Sequence, residues 1–503
     1  MPRAATPNVS PLAARLDRVA LLAALAWFAA VIFPCQHPGL DDAFYHLAQA
    51  RAMVRDGLAT GVDTLPLTVL GAHGPDHHFL LHLLQLPLAW LPYPWDVRLG
   101  MLAFGWLACG GFWAWLRWSR VPLPGVWTLF LLAGSEVFGF RMSLLRGQSL
   151  DLPLLLFGAS AAARARPKLA LVAALLFAWA HHAAVLLVPV AALAFGAARL
   201  ATGRWQLRAP LWLVGGLLLG QIVNPWLPRN IEYLLFHVLF KTGDPLHLSV
   251  GPEWLPALPS WIVSEFALQH TVLAALGLLA WRRRLKPQAD TLTFALLLPL
   301  TVAMTLQHGR FADLLAAVEV AAIALLARDL AALAPLLLRP WSRMAPVLAA
   351  LVLLTVARGV AVSRYLDDGS VRLDAWQRAA AVLQAQTQPG EVVVNLDWGE
   401  YCQWTYVAPQ LRWAIGLDPY YLAYRRPQTF RTWAELNQGR QNIANLRDKL
   451  DRQFGARFLV GSANYAGYLQ AYPELEWIYH SQEASIWRVR DRPLPLPQVP
   501  RDP

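Results

Sequence analysis

Two adjacent carboxylates, Asp41 and Asp42, stand in the segment Gly39-Leu40-Asp41-Asp42-Ala43-Phe44-Tyr45-His46, just past the first strongly apolar run. Charge at a membrane exit is costly unless it faces water, a metal or a substrate. A carboxylate there can ligate a divalent cation or take a proton from an acceptor hydroxyl or amine. The plain structural use of the same residues is to cap a helix N-terminus. Asp151, in Arg146-Gly147-Gln148-Ser149-Leu150-Asp151, poses the same choice, with Pro153 suited to a first helical turn. His46, His73, His77, His78 and His82 share the first loop with the aspartates and Asp76. They make a divalent metal (Mg, Mn or Zn) on Asp42, Asp151 and His46 a candidate cofactor. His181 and His182 interrupt an apolar segment, where polar groups are functional or bonded to neighbouring helices. Arg310 carries a planar fork that suits phosphate, and also stands at i, i+3 from Asp313. Glu253 and Glu265 are further acidic candidates for a cavity.

These residues need a membrane scaffold. The chain has 503 residues, is 56% hydrophobic and carries only 15% charged residues, against about 25% in ordinary soluble domains. Its mean hydropathy is +0.38. About eleven apolar segments approach the length of a span, near 19–35, 99–116, 123–140, 150–163, 169–180, 183–198, 209–224, 261–281, 291–307, 311–327 and 344–361. The pair at 169–198 has a second reading, one long helix broken at His181-His182. With eleven spans, every basic cluster falls on one side: Arg15 and Arg18, Arg117 and Arg120, Arg164 to Lys168, Arg199 to Arg208, Arg282 to Lys286, and Arg328 to Arg343. Positive loops mark the cytoplasm, so the net charge of +11 sets topology. No basic–aromatic module points to nucleic acid.

The expected fold class is an α-helical polytopic membrane protein with a small C-terminal α/β domain outside the membrane. The expected parts are a transmembrane module over 1–361 with a long first outer loop at 36–98, an outer α/β domain over 362–491, and a Pro-rich tail over 492–503. Phe79 to Trp95, interrupted by Gln85, Pro87, Pro92 and Pro94, reads as an interfacial or re-entrant helix. In the outer domain, strands are expected at Glu391 to Leu396, at Ala456 to Gly461 and from Ala484 onward, with helices at Arg372 to Thr387 and Gln428 to Phe454. The expected location is the bacterial cytoplasmic membrane, with the N-terminus cytoplasmic and the C-terminal domain periplasmic. Cys35, Cys109 and Cys402 show no metal-site spacing and read as buried free thiols.

This layout resembles the GT-C class of membrane glycosyltransferases. An acidic pair after the first span, a second acid at the start of the fourth (Asp151) and the segment Leu306-Gln307-His308-Gly309-Arg310-Phe311 carry the resemblance. Asn224-Pro225-Trp226, Glu253-Trp254 and Asn395-Leu396-Asp397-Trp398-Gly399-Glu400-Tyr401 are similar to segments of uncharacterised bacterial members. The WWDYG-like signature of oligosaccharyltransferases is absent, and Gly416-Leu417-Asp418-Pro419-Tyr420 departs from the Asp-Gly-Arg of such relatives. The resemblance implies inverting transfer of a sugar from a polyprenyl-phosphate donor to a lipid, glycan or protein acceptor. It makes Asp41 or Asp42 the base, with Asp42 favoured and Asp151 sharing that role or holding a metal. Arg310, with Arg146 and His308, would meet the donor phosphate; His77, His78, His181, His182, Glu253 and Glu265 are the remaining cavity candidates. Two other readings compete: a transporter or flippase using Asp313, Glu319 and His181/His182 as a polar path, and a non-catalytic scaffold.

Overall fold

A computed structural model describes residues 11–71, 74–241, 248, 251–333, 344–440 and 443–490, apart from the side chains of 41, 252, 332, 333 and 344. Asp41 therefore enters only as backbone; the His73 position and the 492–503 tail lie outside the described residues.

Helices dominate. They are α1 (Pro11–Ile32), α2 (Asp41–Asp56), α3 (Phe79–Gln85), α4 (Trp95–Trp118), α5 (Pro124–Gly134), α6 (Glu136–Met142), α7 (Gln148–Ala163), α8 (Pro167–Ala180), α9 (Leu187–Thr202), α10 (Arg208–Ile222), α11 (Arg229–Leu235), α12 (Pro259–Glu265), α13 (Ala267–Arg282), α14 (Ala289–Gln307), α15 (Ala312–Leu333) and α16 (Met344–Asp368). Among the described residues, four helical stretches can each cross a membrane by length and composition: Trp95–Trp118, His182–Thr202, Ala289–Gln307 and Ala345–Gln384. A fifth is the pair α12 and α13, bent by 77°.

Eleven spans were expected, and the other apolar stretches are shorter or carry charge for local reasons. The 123–140 segment breaks at Ser135, whose hydroxyl caps α6 by accepting from the Phe138 amide. The 169–198 segment breaks at His181. Helix α1 carries Arg15, Asp17 and Arg18, and α15 carries Asp313, Glu319, Arg328 and Asp329. The Phe79 stretch is a short helix followed by a 3-10 turn at Leu86–Trp90, in keeping with a segment that does not cross.

Helix packing rests on small residues, as expected where lipid supplies no hydrophobic drive between helices. Helices α8 and α10 meet at Gly216, where an added Cβ would lie 2.3 Å from the Leu171 carbonyl oxygen. One turn on, the Trp179 indole donates to the Gly220 carbonyl at 2.9 Å.

At the other end of the bundle, Asp290 accepts from Arg164 at 2.7 Å and from Arg328 at 2.8 and 2.9 Å. Asp329 joins through Thr291 and Gln288. Arg164 and Arg328, expected among the basic clusters that set topology, form the cationic half of a buried network tying α7, α14 and α15.

Beyond α17 (Leu373–Gln384) the chain forms a five-stranded sheet of β1 (Val392–Asn395), β2 (Arg412–Trp413), β3 (Ala456–Gly461), β4 (Leu475–Tyr479) and β5 (Ser485–Val489). The order is β2-β1-β3-β5-β4. Strand β1 is parallel to β2 and β3, whereas β5 is antiparallel to β3 and β4. Alternate residues face opposite ways along a strand. Val393, Phe458, Val460 and Ile486 join the core that runs into the membrane helices, while Val394, Leu459 and Trp487 join a separate core. Helices α18 (Tyr401–Val407) and α19 (Pro419–Arg425) dock on the first loop. Tyr406 donates to Asp96 at 2.6 Å, and the Trp413 amide donates to the Thr64 carbonyl at 2.7 Å. Cys35, Cys109 and Cys402 are all buried.

Removing the carboxylate of Asp290 leaves two guanidiniums short of their shared counter-charge. Asp290→Ala is expected to cost about 3–5 kcal/mol, the usual penalty for breaking a buried ion pair. A fall in Tm of the detergent-purified protein checks this; a Tm equal to wild type contradicts it.

Candidate functional site

Two helix breaks of the same design face each other across a cavity of about 440 Å³. Helix α8 stops at His181, which is extended (φ −165°, ψ 146°) before a 3-10 turn at His182–Leu186 opens α9. Helix α14 stops at His308, also extended (φ −145°, ψ 115°), before a 3-10 turn at Gly309–Phe311 opens α15. Such breaks free backbone groups that must meet protein or water. The cavity takes polar groups from these breaks (His181, His182, His308, Arg310) and apolar walls from Leu152, Leu155, Phe177, Leu186, Leu300 and Met304.

Asp151 lies in the first turn of α7, three residues past its first residue, so it is not the cap. Its Oδ2 accepts from His181 Nδ1 at 2.6 Å. Its other oxygen, Oδ1, is buried without a hydrogen-bond partner among the described residues, as is Gln148 Oε1 beside it. Both residues line the cavity. A buried acceptor left unbonded is costly, so this wall is shaped for a donor hydrogen from elsewhere.

Arg310 faces them. Its guanidinium lies 4.2 Å from the Trp254 ring centroid. The i, i+3 pairing with Asp313 does not form, because Asp313 turns to Arg141 Nε at 3.4 Å. Among the described residues no carboxylate pairs with Arg310. His308 Nδ1 donates to the Trp254 carbonyl at 2.8 Å, which leaves Nε2 for another partner.

A belt of ion pairs adjoins the cavity. Asp42 Oδ2 meets Arg146 Nε at 2.7 Å, and Arg146 reaches Glu253 at 3.3 Å. Glu253 also takes Arg141 at 3.0 Å. Burial pushes the Glu253 carboxyl up, but Arg146, Arg310 and Arg141 together hold it well below the usual carboxylate range. Asp42 belongs to the first turn of α2, which begins after Leu40 with no side-chain cap bond. Its side chain is 40% exposed, so it stands at the wet end of the belt.

The histidines assemble more fully than their spacing shows. His46 Nδ1 meets His82 Nε2 at 2.8 Å, and His82 Nδ1 donates to Asp76 at 2.7 Å. His78 stacks on His181 with centroids 4.8 Å apart, and His77 lies 4.3 Å from His78. Burial first, then neighbouring histidines, hold His46, His77 and His78 well below the ordinary histidine value, so they are neutral near pH 7.

The expected metal set does not fit. Asp42 is engaged by Arg146, Asp151 by His181 and His46 by His82. No three His, Cys, Asp or Glu among the described residues are placed to hold an ion. Glu265 is also corrected. Its Oε1 accepts from the Ser135 hydroxyl and from the Glu136 and Val137 amides, and its Oε2 meets Arg358 at 3.4 Å. It ties α12 to the start of α6, because that exposed helix N-terminus needs an acceptor. Asp151, Arg310, His308, His181 and His182 line the cavity, and Asp42, Arg146 and Glu253 form the belt beside it.

Sequence reasoning passed over Arg141, His237 and Lys241. Arg141 carried a signal: it is a cation at the end of a span where the other basic clusters are absent. His237 and Lys241 follow an apolar run with nothing to mark them.

In three dimensions the chain is similar to the oligosaccharyltransferase of Archaeoglobus fulgidus tethered with an acceptor peptide containing the NVT sequon (TM-score 0.58, 12% identity, 95% of this chain and 74% of that one). It is similar to ArnT from Cupriavidus metallidurans bound to undecaprenyl phosphate (TM-score 0.58, 13% identity, 96% and 98%). It is also similar to the arabinofuranosyltransferase AftD from Mycobacteria (TM-score 0.57, 16% identity, 95% and 40%). The chain therefore has the GT-C glycosyltransferase fold, as the layout of its acidic residues led us to expect. No protein-family model and no curated protein matches it.

Acid should weaken the fold through the histidines. Their folded values lie below that of an unfolded histidine, about 6.5. The unfolded chain therefore takes up protons first, and stability present above that pH is lost as pH falls toward the folded values. Tm is expected to drop between about pH 7 and pH 5, and to drop less in a His46→Gln, His78→Gln double variant. Equal losses in the two proteins would contradict this assignment.

Proposed function

We propose that this chain is a membrane glycosyltransferase that moves a sugar from a polyprenyl-phosphate donor to an acceptor outside the cytoplasmic membrane, with inversion. One observation carries the reading: Arg310, which forms no direct ion pair among the described residues, and Asp151, which keeps one oxygen unbonded, line the same apolar-walled cavity. A guanidinium with no carboxylate in direct contact favours an anionic group, and the apolar wall favours a hydrocarbon chain attached to it. ArnT of the same fold is seen bound to undecaprenyl phosphate, and the archaeal oligosaccharyltransferase with an acceptor peptide.

In this reading the acceptor oxygen or nitrogen attacks the anomeric carbon from the side opposite the phosphate. The bond between that carbon and the phosphate oxygen breaks, and its electron pair stays on the phosphate. Arg310 stabilises the charge that develops there, with His308 Nε2 beside it when protonated. Asp42, exposed and paired with Arg146, takes the acceptor proton. Asp151, oriented by His181, accepts a hydrogen bond from the bound sugar through Oδ1. The periplasmic placement of the C-terminal domain follows from the same orientation.

The transport reading has less support. Asp313 lines the same cavity but pairs with Arg141, and Glu319 turns to His270 at 2.6 Å, so the two acids do not form one polar route.

Transfer from a labelled polyprenyl-phosphate sugar to membrane acceptors, measured in nanodiscs, tests the proposal. Asp42→Ala is expected to lower kcat by about 10²–10⁴-fold, the usual share of a general base. Arg310→Gln should lower it by about 10²–10³-fold. Full activity in both Asp42→Ala and Asp151→Ala removes the proposed site.

A further inference from the structure

Lys241 and Asp418 form an ion pair that the reaction above does not use, and both side chains are over nine-tenths buried, 7% and 4% exposed. Asp418 belongs to the C-terminal part of the chain. It caps α19 through Oδ1, which accepts from the Tyr420 amide at 2.9 Å, and gives Oδ2 to the Lys241 ammonium. Lys241 follows the turn that carries His237, a cavity-lining residue. Its ammonium also lies 4.6 Å from the Trp254 ring centroid and 5.9 Å from that of Tyr421.

Trp254 is the junction. One indole holds Arg310 at 4.2 Å and Lys241 at 4.6 Å, while its carbonyl receives His308. The two cations are thus separated by no more than the sum of those two distances. They differ in kind. Arg310 is planar and has no carboxylate in direct contact; Lys241 is a point charge on a flexible four-carbon stem, already answered by Asp418. A buried lysine–carboxylate pair is an inefficient way to gain stability, because desolvation offsets most of the attraction. Its position explains it better: the carboxylate holds an ammonium beside an anion site without leaving it bare when the anion is away.

We infer that Lys241 is a second cation of the donor-phosphate site, kept in reserve by Asp418, so that a bound phosphate competes with the C-terminal part for the same ammonium. The inference rests on the donor site proposed above. Phosphate on Arg310 draws the Lys241 ammonium from Asp418 toward itself; the freed carboxylate retains its capping bond to the Tyr420 amide. The C-terminal part thereby registers whether a donor is present.

Binding of undecaprenyl phosphate to the full-length protein in nanodiscs tests it. Asp418→Asn is the informative variant, because asparagine caps a helix as well as aspartate does but cannot hold the ammonium. It is expected to lower Kd several-fold. Lys241→Met should raise Kd by about tenfold, the usual loss for one charged hydrogen bond. In the Lys241→Met background, Asp418→Asn should give no gain. The inference is overturned if Asp418→Asn tightens binding equally in both backgrounds, which marks a general field effect, or if Lys241→Met binds like wild type. Folding is checked in the double variant, which removes both buried charges together. Arg310→Gln separates this inference from its premise: unchanged binding there displaces the donor site itself, whatever Lys241 does.

Discussion

Helix ends inside a bilayer have nowhere to put their unpaired amides and carbonyls except against protein or water. The cavity-bearing half of this chain is arranged around that constraint. Helices α8 and α14 each stop at an extended histidine and restart through a 3-10 turn. The cavity lies where the two breaks come together, and polar side chains follow it because the breaks bring them there. His181 sits on one break and His308 and Arg310 on the other, and the α7 start lends Asp151.

Around that cavity charge is handled in three ways. Most cations are answered within the chain: Arg146 by Asp42 and Glu253, Arg141 by Glu253 and Asp313, and Lys241 by Asp418. His46, His77 and His78 avoid charge by staying neutral. Arg310 alone among the cations named here has an aromatic face instead of a carboxylate. An aromatic face holds a guanidinium in place without neutralising it, which suits a residue waiting for an anion.

Much of this was legible in the sequence because topology is legible. Counting spans put Asp42, Asp151 and Arg310 at the same end of the bundle, and the structure brings Asp151 and Arg310 to one cavity. Strands β1, β3 and β5 were legible because each is an apolar run after a turn. Strand β2 is only two residues long, and β4 is mixed in polarity, so neither left a pattern. Helix continuity was less legible, because Ser135 and His181 break apolar runs that hydropathy reads as continuous. Partner choice was the least legible. Nothing local tells Glu265 to bond the α6 amides, or Asp313 to prefer Arg141 over Arg310. Those choices depend on which helices become neighbours.

The sheet's two faces set the order in which the chain can be made. Val393, Phe458, Val460 and Ile486 pack into the same core as the membrane helices, and β3 needs β5, from near the end of the described chain, as its neighbour. Chains emerge from the ribosome N-terminus first. The helices are therefore inserted before the sheet exists, and they present the surface on which its inner face closes. The last strands complete a wall of a structure already standing in the membrane.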